Sequence, residues 1–446
     1  MPARTQITFH NGVNVIGGTI VEVTYADTSV LIDFSSEMDS MDLPPEGLPA
    51  LIASGAFPRL YDYLDPCQLP LPEDQLARSS IRKRAVFLTH AHLDHSLWLN
   101  WLDPAVPLYS SPATSQLLPA LNVRGDFLAP PAHPLAGGAL TRTITALDPE
   151  RPLTLGPIQV ELIPVDHDLP GACGLRLVTP DAVIAHTGDF RFHGFRSAET
   201  RHFIDRCKGC DVLIIEGVSV SNFQPGDPAE DDGFLSEADL ASCVRDLLLA
   251  NPQRNVSFNY HAANTERIAY WKDQVQDLRL LVLDAYSAYL AKTMTGLSLP
   301  WYRLDRSQKA LPGLDPACEL PLETLLEDRQ RFFWQLDTAV LDKIGRQLSG
   351  GLYIHADAPP LGKWSLEWEP FSQLFQSAGL ETCTLSSSGH ARTLELQALV
   401  DAIGPHLVCP VHTSAPDRLV NKAGGRLLPE KGQSLRKNPR GVWTLT

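Results

Sequence analysis

Six residues of this chain, His90-Ala91-His92-Leu93-Asp94-His95, carry three imidazoles and a carboxylate. They follow a short apolar run, Ala85-Val86-Phe87-Leu88, of the kind that forms a buried strand. The cluster therefore sits where a strand gives way to a loop. Neutral imidazole and carboxylate both ligate zinc and similar ions. Their close alternation lets one tight loop present several donors to one point or to two adjacent points. A solvated polar loop accounts for one or two histidines. Three of them with an aspartate, beside a buried strand, point to a metal site.

With 446 residues the chain has room for two or more domains and a large core. Its net charge of −15 argues against broad nucleic-acid binding through a basic surface, while leaving room for a local basic groove. Residues 1–12 lack the apolar core of a targeting signal. No run approaches a membrane span, so a cytoplasmic location is expected. The 8 cysteines are scattered, with one Cys207-x-x-Cys210 pair. A structural zinc site usually needs a second pair, so these two read as reduced thiols beside a strand, in keeping with a reducing compartment.

Strand-like runs at 14–23 and 29–34 open the chain. Asp33 closes the second, and a buried carboxylate there needs a partner: it either orients a metal-binding histidine or caps the following turn. Residues 36–80 are Pro-rich and irregular, with one helical piece over 47–64. A short buried helix is expected over 96–102, a strand over 106–109 and a helix over 111–121. Strand patterns at 158–165 and 183–186 lead into Asp166-His167-Asp168 and Thr187-Gly188-Asp189. His167 and Asp189 thus sit at strand ends, as the opening cluster does, and loop ends of one sheet can converge on one edge. His186, His193 and His202 read as ordinary loop or core histidines. The strand 211–216 ends in Glu216, and the acidic, turn-rich stretch 221–232 marks a boundary. Helix-period runs (238–249, 263–276) then alternate with short strands (255–258, 279–283), the pattern of a small parallel α/β unit. It continues through a charged helical stretch to a strand at 352–355. Strands at 383–385 and 407–411 deliver Ser388-Gly389-His390 and His412.

The set His90-x-His92-x-Asp94-His95, followed by His167, Asp189 and His412, resembles the metallo-β-lactamase fold over nearly the whole chain. Val165-Asp166-His167-Asp168-Leu169-Pro170-Gly171-Ala172, Thr187-Gly188-Asp189-Phe190, Ser388-Gly389-His390-Ala391 and Pro410-Val411-His412 narrow the resemblance to the β-CASP branch, most closely the ribonuclease J type. Glu216, His390 and His412 match that branch's three extra motifs. The resemblance implies an α/β fold: a four-layer αββα sandwich from residues 1–221 and 385–446, with an inserted α/β cap over 222–384. It implies two divalent ions, zinc or manganese. His90, His92, His167 and Asp189 would hold one; Asp94, His95, Asp189 and His412 would hold the other. It further implies a phosphodiesterase acting on single-stranded RNA, with a hydroxide between the ions attacking phosphorus. Asp94, Glu216 and His390 would form the catalytic set. His390 would stabilise the phosphate or protonate the leaving group, and Glu216 would orient that ring. Ser388 and the Gly389 amide would bind a phosphate oxygen. Arg267, in an Asn264-x-x-Arg helix start, would contact substrate or lie at a surface. No membrane partner is implied, and a homodimer is compatible with the pattern.

Two other functions compete. One is hydrolysis of DNA, a small phosphodiester, or an ester or thioester on the same fold. The other is a silent binding subunit, which every filled ligand position disfavours. The chain departs from the family in several places. Ser96-Leu97-Trp98 stands where a Gly-rich turn is usual, Gly217 where Ser or Thr is common, and Asp168 where a small hydroxyl residue is usual. The stretch after His412 is too short for the further C-terminal domain of many ribonuclease J proteins.

Overall fold

The computed structural model describes residues 3–37, 44, 47–69, 81, 83–222, 233–305, 309–362, 365–438 and 440–446. Among these, an eight-stranded sheet runs in the order Trp443–Leu445, Ser434–Lys437, Gln6–Asn11, Ile20–Tyr25, Thr28–Ile32, Lys83–Phe87, Leu108–Ser110, Thr145–Ala146. A seven-stranded sheet runs Gly425–Arg426, Leu407–Val411, Val212–Glu216, Ala182–His186, Cys173–Thr179, Ile158–Pro164, Leu153–Leu155. Their inner faces meet in one core, with Ile7, Phe9, Val21 and Val30 on one side and Val160, Leu175, Ile184 and Ile214 on the other. Leu31, Val86 and Leu88, on the outer face of the first sheet, pack against the helices Leu48–Ser54 and Pro112–Leu121. Ile163, Leu213 and Ile215, on the outer face of the second, receive the helices Ser197–Cys207 and Thr393–Ile403. Helix, sheet, sheet and helix make the four αββα layers that the sequence predicts.

A third sheet has six strands in the order Trp301–Tyr302, Leu280–Asp284, Phe332–Gln335, Val256–Tyr260, Leu352–Ala356, Glu381–Leu385. Every pairing in it is parallel, which explains its nearly unbroken apolar strands. Its sequence lies between Val212–Glu216 and Leu407–Val411, which are parallel neighbours in the second sheet. The chain thus leaves that sheet, builds a separate α/β layer and returns one strand away.

Several local expectations change. The opening strand is Gln6–Asn11, and 12–18 is loop; the run expected over 14–23 becomes Ile20–Tyr25. The helix expected over 47–64 is only Leu48–Ser54, ended by Gly55 in a left-handed cap. Leu99–Trp101 is a short 3-10 turn. Within the stretch read as charged and helical, Phe332–Gln335 is a fully buried strand whose aromatic run is masked by flanking arginines. Much of the boundary stretch 221–232 lies outside the described residues. Cys207 and Cys210 are buried free thiols; burial pushes Cys207 up and Cys210 to about 12, which keeps both protonated. Among the described residues no helix is long and apolar enough to cross a membrane.

A buried charge network joins the sandwich to the third sheet. Glu237, at the start of the helix Glu237–Ala250, accepts from Arg267 Nε at 2.8 Å and Nη2 at 2.9 Å, and lies 3.1 Å from Arg191 Nη1. Burial opposes its charge, but Arg267 and then Arg191 outweigh burial and bring the Glu237 carboxyl down to about 2. A lowered carboxyl contributes stability that is present above its ordinary value near 4.5 and is lost as pH falls toward 2. Removing one partner of a buried pair costs about 3–5 kcal/mol. Glu237→Gln should therefore lose that much at pH 7 in urea unfolding, and its deficit against wild type should shrink as pH falls from 4.5 toward 2.

Candidate metal centre

The site gathers where strand ends meet. Thr28–Ile32 and Lys83–Phe87 are parallel neighbours, so Asp33 and the His90–His95 loop leave the first sheet at one edge. In the second sheet Ala182–His186, Val212–Glu216 and Leu407–Val411 run parallel, and Ile158–Pro164 shares their direction through two antiparallel pairings. Their ends bring His167, Asp189, Glu216 and His412 to the facing edge. The two sheets thus hold the donors between them.

Two donor groups result. His90, His92, His167 and Asp189 each offer one ligand atom, as do Asp94, His95, Asp189 and His412, and within each group these atoms lie within 4.8 Å of one another. His92 Nδ1 is 3.1 Å from both His90 Nε2 and His167 Nε2. Asp189 Oδ2 lies 3.6 Å from His90 Nε2, 3.3 Å from His95 Nε2 and 3.6 Å from His412 Nε2. One carboxylate oxygen therefore belongs to both groups. Asp94 Oδ2 is 3.7 Å from His95 Nε2 and 3.6 Å from His412 Nε2. All seven metal ligands expected from the sequence are brought together.

The contacts behind these rings fit them to ions. Asp33 is the buried partner its position demanded. Its Oδ2 accepts from His95 Nδ1 at 2.7 Å, and its carboxylate also takes the Thr89 amide and hydroxyl. The Thr89 hydroxyl proton is thereby committed, so Thr89 Oγ1 accepts from His90 Nδ1 at 2.9 Å. His167 Nδ1 donates to the Gly389 carbonyl. In each case Nδ1 keeps the proton and Nε2 turns its lone pair inward, the arrangement ligating histidines need. His95 Nε2 is buried with no hydrogen-bond partner, as a ligand atom would be. Burial pushes His167 down to about 3 and His90 well below its usual range, the neutral state that ligation requires. Burial opposes charge on His95 too, but Asp189, Asp94 and Asp33 outweigh it and hold that ring well above its usual range, so without an ion its Nε2 carries a proton facing Asp189 that ligation would displace. His412 is oriented differently: its Nδ1 accepts from the Gly17 amide at 2.9 Å, so its neutral ring carries the proton on Nε2. To ligate through Nε2 as a neutral imidazole, His412 would carry its proton on Nδ1 instead and give up the contact with Gly17.

His390 stands beside this group. Its Nδ1 is 3.3 Å from Glu216 Oε1 and 3.9 Å from Asp189 Oδ2. Burial works against its charge, but Glu216, together with Asp189 and Asp168, outweighs burial and raises the ring to about 9. Glu216 is itself fixed by the Val218 amide, which donates to Oε2 at 2.9 Å. Ser388 has φ 51° and its Oγ accepts from the His390 amide. A Cβ on Gly389 would come within 2.9 Å of His167 Cε1 and Asp168 Cγ, so only glycine lets this turn approach His167.

Three sequence expectations are corrected or sharpened. Arg267 is buried, and it donates to Glu237, Asp357 and the Ala356 carbonyl. Its charge is committed to the protein's own carboxylates, and it is neither a surface residue nor free for substrate. Trp98, behind the metal loop, is core: its Nε1 donates to Ser36 Oγ at 2.8 Å and its ring packs edge-on to Phe57 and Trp101. Gly217 is explained by Thr413, whose Cβ would lie 3.0 Å from any added Cβ. The sequence reading missed His261, which follows the strand Val256–Tyr260 and meets His92 with ring centroids 5.1 Å apart. A lone histidine in an unremarked loop carries no local signal.

Residues 62–250 match the family model described as the beta-lactamase superfamily domain. The chain is 30% identical over 118 residues to ribonuclease J of Sinorhizobium meliloti, covering 26% of this chain and 19% of that protein. It is 24% identical over 192 residues to ribonuclease J of Mycoplasma pneumoniae, covering 42% of this chain and 28% of that protein. The chain thus spans between about a fifth and somewhat over a quarter of these relatives' length. A crystal structure of a protein of unknown function from Enterococcus faecalis V583 matches with a TM-score of 0.87 and 37% identity, covering 97% of this chain and 100% of that one. With its four-layer sandwich and its paired His/Asp groups, this chain has the metallo-β-lactamase fold, and residues 62–250 resemble the domain of that superfamily. Within it the likeness is to the β-CASP, ribonuclease J type, at a distance.

Removing the support behind one ligand should weaken the centre without removing a ligand. Groups that orient a ligating histidine are typically worth 10–100-fold in metal affinity. Asp33→Asn should lower affinity for one ion by about that factor, read by chelator competition followed by metal analysis. Retention of full affinity would show that His95 does not need Asp33.

Proposed function

We propose that this protein is a two-metal phosphodiesterase that cleaves RNA, with zinc or manganese as its ions. The observation that carries the reading is Asp189 Oδ2, shared by two complete donor groups, with His390 3.9 Å away and backed by Glu216. Two adjacent ions, when bound, supply charge neutralisation at a phosphate and activate water.

The chain's own residues do the rest. Asp189 sets the spacing of the two groups. Asp94 lends one of them a negative ligand facing His95 and His412. Glu216 keeps the His390 ring charged, and a charged ring this close to the centre stabilises an anionic phosphate and can pass a proton to the leaving oxygen. Ser388 and the Gly389 amide, in the turn that carries His390, would bind a phosphate oxygen. On this reading residues 222–384 act as a cap over a sandwich formed by 1–221 and 385–446, and substrate enters along the seam. Likeness to the ribonuclease J proteins supports RNA as the polymer. DNA, a small phosphodiester, or an ester or thioester are the competing substrates, and the net charge of −15 weighs against either nucleic acid.

The test uses end-labelled single-stranded RNA and DNA with 5′-phosphate or 5′-hydroxyl ends, incubated with protein loaded with Zn²⁺, Mn²⁺ or Mg²⁺. Wild type should cleave RNA. Asp189→Ala should lose bound metal and activity together. His390→Ala should keep its metal and lose about 10²–10⁴ in rate, the usual worth of a positioned acid. No cleavage of any polynucleotide by metal-loaded wild type would overturn the reading.

A further inference from the structure

Asp168 and His261 take no part in either donor group, yet both present buried polar atoms toward the centre. Asp168 Oδ1 and His261 Nδ1 are each buried without a hydrogen-bond partner. Such orphaned atoms call for a water or an ion. They face each other across the seam between the sandwich and the third sheet, with His92 between them. Asp168 Oδ1 is 3.5 Å from His92 Nε2, and the His261 and His92 rings meet at 5.1 Å. One ligand atom each from His92, Asp168 and His261 all lie within 4.8 Å of one another. His92 already turns Nδ1 toward His90 and His167, so Nε2 is its nitrogen left for this cluster, and with both nitrogens ligated the ring is an imidazolate whose proton passes to solvent.

We infer that the protein has a third cation site, formed by Asp168, His261 and the outward nitrogen of His92, that pins the third sheet to the sandwich. One carboxylate and two imidazoles suit a borderline ion such as Zn²⁺ better than Mg²⁺ or Ca²⁺. Ligands of one tetrahedral zinc stand roughly 3.4 Å apart, so the donors need close by only about an ångström, within the reach of the Asp168 and His261 side-chain torsions. The carboxylate is the residue that replaces the family's usual small hydroxyl, and the imidazole comes from the inserted layer. The site is therefore a property of this chain, and it does not depend on what the centre cleaves.

Metal content decides the matter. Wild type is loaded with Zn²⁺, desalted and analysed by plasma mass spectrometry, alongside His261→Ala and Asp168→Asn. Three equivalents per chain in wild type and two in each variant are expected. Crystals of wild type measured at the zinc edge should give a third anomalous peak between Asp168 and His261, which decides the question even if a variant fails to fold. Two equivalents in wild type with no third peak, or an unchanged count in His261→Ala, overturns the inference. Two ions without the third leaves the phosphodiesterase reading intact, whereas no bound ion counts against both.

Discussion

A carboxylate buried among imidazoles sets the terms for everything around it. Asp189 has almost no contact with solvent, and its Oδ2 faces His90, His95, His412 and His390. Burial alone would drive such a group to its neutral acid, but His412 and His95 hold it well below the usual carboxylate range. The surrounding structure answers that concentration of charge in layers. Asp33 stands behind His95, Thr89 behind His90, the Gly389 carbonyl behind His167, and Glu216 behind His390. Each of these partners sits at or just past the end of a strand or in a turn next to the centre. The parallel strands of two facing sheets are the means of bringing them to one place.

The same logic separates what could be read in the sequence from what could not. The ligands were legible because each follows an apolar run, and a dense local motif needs no long-range information to be recognised. Asp33 was half legible: a buried strand-end carboxylate must be paired, but the sequence does not say with what. His261 and Arg267 were not legible in their roles. His261 acquires meaning only from Asp168 and His92, which lie far away in the chain. Arg267 has the spacing of a helix-start arginine, yet its charge is spent on Glu237 and Asp357. The strand Phe332–Gln335 was obscured because charged residues flank four buried ones, and the sheet order that buries it is set by tertiary pairing.

The two departures behind the metal loop have different weights. Ser96-Leu97-Trp98 replaces a Gly-rich turn, yet Trp98 faces the helical layer and the core absorbs it. The His95 ring takes its orientation from Asp33 and not from this turn. Asp168 is the substitution that reaches the chemistry, because its oxygen stands 3.3 Å from His167 Nε2 and 3.5 Å from His92 Nε2. An extra negative charge there repels an anionic substrate unless a cation or a charged ring offsets it.

The insertion point has a consequence for how the molecule comes into being. Val212–Glu216 and Leu407–Val411 are side by side in the finished sheet but separated by the whole third sheet in sequence. During synthesis on the ribosome, His90, His92, His167 and Asp189 emerge well before His412. One donor group can assemble while the other still lacks a ligand, and His390 also arrives late. On the proposed reading, the centre is incomplete in the nascent chain until its inserted layer has been made.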